Sequence, residues 1–204
     1  MDKNLSAAGF PGIDKILELI GKAEAEKERV IIAIDGKSGS GKSFLAGLLK
    51  GLYGCNLIRM DYFFLRPHQR TPARLKEPGG NIDYERFQKE VVNNLINNKA
   101  FSYQVYDCSQ AALTERINVE PKKINIIEGV YSMHPLWINI YDIKIFLTLD
   151  PGRQLERIRK RSGEGLLRRF VQEWIPMENL YFEHFNIPQA SDLVIDTSSL
   201  KSVP

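Results

Sequence analysis

The segment Gly36-Lys37-Ser38-Gly39-Ser40-Gly41-Lys42-Ser43 has the types and spacing needed to hold a polyphosphate. It satisfies Gly-x-x-x-x-Gly-Lys-[Ser/Thr], in which the glycines let consecutive backbone N–H groups turn inward around an anion that side chains would obstruct. Lys42 is then expected to reach the β- and γ-phosphates of a bound nucleoside triphosphate, and Ser43 to offer its hydroxyl to Mg²⁺. A helix running from Lys42 through Phe44 would point its positive end at the same place. The expected nucleotide contacts are therefore Gly36 to Phe44, with ATP and Mg²⁺ as the implied ligands. An ordinary glycine-rich turn is the alternative, and the strand before the motif and the helix after it argue against that.

Other residues could add chemistry to a bound triphosphate. Asp61 and Glu128 each follow a short apolar run, Asn56 to Met60 and Ile124 to Ile127, and Asp83 stands just before a helical pattern. A basic cluster of Arg153, Arg157, Arg159, Lys160, Arg161, Arg168 and Arg169 surrounds Gly163 and Gly165, with Arg157 and Arg161 on one helical face. This cluster fits either a mobile anion-binding cover or a solvated basic face. His134 and His184 have no partner at a spacing that suggests catalysis.

The elements that position these residues can be read from hydrophobic periodicity. Ile13, Ile16, Leu17 and Ile20 predict an amphipathic helix that covers a sheet, within an N-terminal helical extension spanning 1–29. Val30 to Ile34 is continuously apolar and β-branched, as in a strand buried on both faces, and the glycine-rich segment follows it directly. Strands are also predicted at Asn56 to Met60, Phe101 to Tyr106, Ile124 to Ile127, Ile143 to Leu149 and Leu193 to Ile195. Helices are predicted from Lys42 to Leu52, Tyr84 to Asn97, Arg153 to Arg161 and Leu166 to Phe185. Between Asp61 and Ile82 the chain is rich in Pro, Gly and Arg and reads as a long loop. This alternation predicts one domain over 1–204 built on a mainly parallel α/β sheet. Asp61 would then project at the C-terminal edge of the sheet, where such folds bind ligands.

The motifs together resemble the uridine kinase and phosphoribulokinase group of P-loop kinases, over most of the chain from Ile31 to about Ile195. The matching pieces are the phosphate loop, Met60-Asp61-Tyr62-Phe63-Phe64, Asn81-Ile82-Asp83, Tyr106-Asp107, Ile126-Ile127-Glu128-Gly129 and the arginine-bearing helix. The resemblance implies a three-layer α/β P-loop nucleoside triphosphate hydrolase fold of the adenylate-kinase-like group. It also implies ATP-dependent phosphorylation of a small-molecule hydroxyl, with uridine or another nucleoside as the first expectation. Carried over residue by residue, Asp61 resembles the general base, beside Lys42 as the phosphate-binding lysine, and Glu128 sits near Mg²⁺ with Ser43. Asp83 and Tyr106 line the acceptor site, and Arg157 and Arg161 belong to a lid over about 153–185. Each has a plainer alternative: a turn aspartate at Asp61, a salt bridge at Glu128, a helix cap at Asp83, a core aromatic at Tyr106. The chain departs from the pyrimidine readers after Tyr106-Asp107, where Cys108 and Ala111 stand in place of an aromatic and a histidine. That leaves room for a sugar or pantothenate-like acceptor. A non-catalytic ATP-binding regulatory module is the remaining alternative, against which the joint presence of Lys42, Ser43, Asp61 and Glu128 speaks.

Composition sets the outer limits. With 43% hydrophobic and 26% charged residues over 204 positions, the chain can bury one sizeable core. A formal net charge of +3 does not by itself suggest a nucleic-acid binder. The opening residues lack a signal-peptide pattern, no apolar run is long enough for a bilayer, and a cytoplasmic protein without a membrane partner is the expectation. Cys55 and Cys108 are too few for a disulfide framework and read as small core residues. The sequence is compatible with a homo-oligomer.

Overall fold

In the computed structural model, which describes residues 9–200, the strand that leads into the phosphate loop runs through the middle of the sheet. Helix α1 (Ile13–Glu26) precedes it and buries Ile13, Ile16 and Ile20. Residues 1–8 of the expected N-terminal extension lie outside the described residues. Strand β1 (Val30–Gly36) is buried along its whole length. Its side chains alternate between two layers, as strand pleating requires. Val30, Ile32 and Ile34 pack with α1 and with Leu45 and Leu49 of α2 (Lys42–Tyr53), while Ile31 and Ala33 face the opposite layer with Val91, Phe146 and Phe182.

Strands β2 (Asn56–Arg59), β5 (Ile124–Glu128), β6 (Ile143–Thr148) and β7 (Leu193–Asp196) complete a five-stranded sheet in the order β2-β5-β1-β6-β7. All four pairings are parallel. The order turns at β1, with β5 on one side and β6 on the other, so a crevice opens beyond the carboxyl ends of β1 and β5. In the register Ile34 stands beside Glu128, which in turn stands beside Arg59. The phosphate loop, Glu128 and the chain leaving β2 therefore share one edge.

Two expectations are corrected here. Phe101 to Tyr106 is a strand, β3 (Phe101–Asp107), but it stays out of the main sheet and pairs antiparallel with β4 (Ala112–Val119) in a separate ribbon. The ribbon is seated by aromatic packing, with the Tyr103 ring 5.5 Å from that of Phe63. The stretch from Asp61 to Ile82 is also more ordered than a loop. It forms a 3-10 turn (Met60–Phe63), a second one (Pro67–Gln69) and a short helix α3 (Pro72–Lys76), and a bridge between Phe64 and Ile82 closes it. Arg74 fastens it further by donating to the carbonyls of Gly80 and Ile82.

The predicted helix after Asp83 is present as α4 (Tyr84–Phe87), a π turn (Gln88–Val92) and α5 (Asn93–Ile96), with Phe87, Val91 and Leu95 buried. Helix α6 (Pro151–Arg169) opens on an Asp150 cap and a proline and bends at Gly163, whose φ of 75° and ψ of 171° are not helical. A π turn (Phe170–Trp174) leads into α7 (Ile175–His184), which returns to the core through Tyr181 and Phe182. Among the described residues no helix is long and apolar enough to cross a membrane.

Candidate active site

The phosphate loop starts where β1 meets β6. The peptide of Lys37 donates to the Leu147 carbonyl at 3.1 Å, and Gly36 adopts a φ of 139°. A Cβ at Gly36 would lie 2.1 Å from that same carbonyl oxygen, so glycine is required both for its torsion and for the close approach. Gly39 and Gly41 also take positive φ, and the loop passes from Gly41 directly into α2. Lys42 folds back over the loop and donates to the carbonyls of Gly36 at 2.8 Å and Lys37 at 3.0 Å.

Beside it, the Ser43 hydroxyl donates to Oε1 of Glu128 at 2.9 Å. Burial pushes the Glu128 carboxyl up, and the nearby Lys42 charge opposes that. Asp61, exposed on the turn after β2, lies near enough for its charge to bear on Glu128. Hydroxyl and carboxylate oxygens with no sulfur or imidazole form a donor set that suits a hard cation such as Mg²⁺, which typically takes one or two carboxylates and completes its shell with phosphates and water. Among the described residues there is no group of three or more His, Cys, Asp or Glu that could hold a metal ion.

These residues open onto a cavity of about 490 Å³. Ser38, Gly39, Lys42 and Ser43 of the phosphate loop and α2 line it together with Glu128 and Asp61. Phe64, Pro67, Arg70, Asn81, Tyr106 and Cys108 also line it, as do Arg161 and Arg169 of the bent helix α6 and Trp174 of the π turn that follows. The volume suits a small molecule. Tyr131, another lining residue, holds a φ of 75°, a strained torsion for a bulky side chain.

No protein-family model matches the sequence. Several solved structures do match in three dimensions. A possible uridine kinase of Bacillus stearothermophilus superposes with a TM-score of 0.65 at 18% identity, over 89% of this chain and 100% of that one. A protein of Silicibacter sp. TM1040, provisionally named a fructose transport system kinase, gives 0.62 at 22% identity, over 82% of this chain and 90% of the other. Phosphoribulokinase from Rhodobacter spheroides gives 0.55 at 14% identity, over 83% and 70%. The fold is the three-layer α/β P-loop nucleoside triphosphatase fold that these structures share.

Within this fold, about half of the residues singled out by sequence line the cavity, whereas Gly36, Lys37, Ser40, Gly41, Phe44, Asp83 and Arg157 do not. Lys42, Ser43, Asp61, Glu128, Tyr106 and Arg161 line it, as do Ser38 and Gly39. Arg157 does not. Its guanidinium donates to the carbonyls of Gly39, Thr197 and Leu200, which clamps the outside of the phosphate loop to the chain after β7. Arg169 takes the place expected of Arg157 and lines the cavity beside Arg161, stacked over Trp174 at 4.8 Å. Asp83 also lies elsewhere. It caps α4 by accepting from the Arg86 peptide at 3.1 Å, and its other oxygen is taken by Gln69 at 2.9 Å and Arg66 at 3.4 Å. It belongs to a separate hollow of about 720 Å³ under α3, lined by charges that pair among themselves and by no residue of the phosphate loop. The Phe44 ring turns away to stack on Phe10. Cys55 is buried as expected, whereas Cys108 is exposed at the cavity.

Sequence reasoning missed two buried carboxylates. Glu178 of α7 accepts from the Ser38 peptide at 3.0 Å and from the Ser38 hydroxyl, and so holds the outer limb of the phosphate loop. Burial pushes its carboxyl up, with Lys42 opposing. Asp35 at the end of β1 accepts from the peptides of Gly36 and Met133 and from the Tyr181 hydroxyl. Glu178 of α7 and Asp35 of β1 thus both brace the loop through its backbone. Neither stands in a recognisable motif, and only an acidic residue within an otherwise apolar stretch could have drawn notice.

Proposed function

We propose that this chain is an ATP-dependent kinase that transfers the γ-phosphate to a hydroxyl of a small molecule. The observation that carries the proposal is the single cavity in which a phosphate loop with its Lys42 meets Ser43 and Glu128 on one side and the exposed Asp61 on the other. Ser43 and Glu128 are the residues that would hold Mg²⁺, which when bound neutralises charge between the β- and γ-phosphates. Asp61 orients the acceptor hydroxyl and takes its proton as the new oxygen–phosphorus bond forms and the bond to ADP breaks. Lys42 draws off the charge that builds on the phosphoryl oxygens, and Arg161 and Arg169 close over the group and exclude water. Mg·ATP and a cytoplasmic setting are part of this proposal.

For the acceptor, the order of the motifs favours a nucleoside such as uridine. A second proposal, a sugar or pantothenate-like acceptor, is favoured by Cys108 and Ala111, which line the cavity without offering a stacking ring or an imidazole to a pyrimidine. The test is acceptor-dependent ADP release across nucleosides, pentoses and pantothenate. With the responding acceptor, Lys42→Ala should lose roughly 10²- to 10³-fold in kcat/KM, and Asp61→Asn roughly 10²- to 10⁴-fold while still binding ATP. Normal transfer by Asp61→Asn would refute the base assignment, and ATP binding without ADP release on any acceptor would favour a regulatory module.

A further inference from the structure

The segment after Asp61 carries Arg66, Arg70 and Arg74, and the structure treats them differently. Arg74 is consumed internally. It pairs with Glu85 at 2.9 Å, approaches Glu77, donates to two backbone carbonyls and lies 3.4 Å over the Tyr84 ring. Arg66 is also matched, by Gln69 and by the buried carboxylate of Asp83. Arg70 is not. Among the described residues it has no carboxylate within ion-pair distance, and its side-chain hydrogen bond goes to the neutral Oδ1 of Asn81 at 3.1 Å.

Arg70 is also the one of the three that lines the cavity beside Asp61. Asn81 is buried and lines the same cavity, so the single bond aims the guanidinium while most of its roughly five N–H donors remain unspent. Tyr106, Cys108 and Ala111 line the same cavity. Arg70 is close enough for its charge to favour the ionised forms of both Tyr106 and Cys108. The side chains at Cys108 and Ala111 offer no amide or imidazole to a ligand, and the cavity-lining cation whose charge bears on Tyr106 and Cys108 is the planar, permanently charged fork of Arg70. Such a fork matches a carboxylate or a phosphate in two parallel bonds.

We infer that the acceptor of this kinase carries an anionic group, a carboxylate or a phosphate ester, which Arg70 grips while Asp61 takes the hydroxyl to be phosphorylated. The inference rests on the kinase proposal and narrows its substrate class. It disfavours a neutral nucleoside, because an uncharged acceptor leaves the guanidinium without a partner.

The first test is independent of turnover. With the phosphate loop filled by Mg²⁺ and a non-hydrolysable ATP analogue, binding of inorganic phosphate and of acetate to the full chain is measured by calorimetry. One of the two should bind, which also tells phosphate ester from carboxylate. Arg70→Ala should weaken that binding about 10- to 100-fold and Arg70→Lys should restore part of it, with affinity for the ATP analogue unchanged in both. Absence of binding by either anion, or equal binding by Arg70→Ala, overturns the inference. The second test compares ADP release within matched pairs: pantothenate against its uncharged alcohol analogue, a pentose phosphate against the free pentose, uridine monophosphate against uridine. Preference for the charged member of a pair, lost in Arg70→Ala through KM, supports the inference; preference for the neutral member overturns it. Anion binding without ADP release from any compound would instead count against the kinase proposal and leave the anion site standing.

Discussion

At the scale of single residues, the site depends on carboxylates held where water does not reach. Asp35 is wholly buried, and desolvation pushes its carboxyl from the ordinary 3.8 up to about 6 despite three hydrogen-bond donors and the Lys42 charge. The folded state therefore binds this proton more tightly than the unfolded chain. The group's contribution to stability is full below the unfolded value and declines as pH rises through the folded one. Asp35→Asn removes that dependence. The melting temperature of the wild type relative to Asp35→Asn should be higher near about pH 4.5 than near about pH 7.5; a gap that stays constant across that range would show that Asp35 titrates normally. The role of this acid and of Glu178 was hidden from sequence because each acts across the fold. Glu178 reaches a serine 140 positions earlier, and no local pattern encodes such a contact. Lys42 and Ser43 were legible for the opposite reason, since their chemistry is dictated by neighbours a few positions away.

At the scale of elements, the bend in α6 governs how the arginines reach the cavity. Gly163 occupies a region of torsion space that is essentially reserved for glycine, and a Cβ there would meet nothing within 4 Å. The constraint is therefore torsional rather than steric. Alanine at this position costs roughly 1–3 kcal/mol if the bend is kept, but gains roughly 1 kcal/mol over glycine if the segment becomes regular helix. Gly163→Ala should thus straighten the lid, hold or slightly raise the melting temperature, and lower kcat by at least about tenfold as Arg161 and Arg169 swing off the cavity. A normal kcat with a lowered melting temperature would place the importance of the bend in folding instead. The bend was visible in the sequence as a Ser-Gly-Glu-Gly break in a helical pattern, and β1, β5 and β6 were visible as β-branched apolar runs. Strand β4 was not. Its Ala-Leu-Thr-Glu-Arg-Ile-Asn-Val sequence is largely exposed, so it lacks the apolar signature that marks a strand of the central sheet, and with it the ribbon went unrecognised.

At the scale of the whole molecule, the phosphate loop draws together β1, β6, α7 and the chain beyond β7, through Leu147, Glu178 and Arg157. Filling it should stabilise the entire fold. At about 100 times its dissociation constant, a Mg²⁺-bound ATP analogue adds roughly 2.7 kcal/mol, or about 5 to 10 °C in melting temperature for a chain of this size. Wild type and Asp61→Asn should both show the shift and Lys42→Ala should not; an equal shift in all three would move the nucleotide away from this loop. The proposed acceptor end of the cavity is built differently. Tyr106 comes from β3, and Cys108 and Ala111 from the turn between β3 and β4, in a ribbon that shares no hydrogen-bonded pairing with the parallel sheet. On the proposed reading, the phosphate loop thus stands on the parallel sheet, whereas the acceptor would be met by the ribbon together with Arg70 from the segment after β2. Substitution in the ribbon or at Arg70 should then change which acceptor is used while leaving binding of the ATP analogue intact, so that this small appendage could vary without disturbing the phosphate loop.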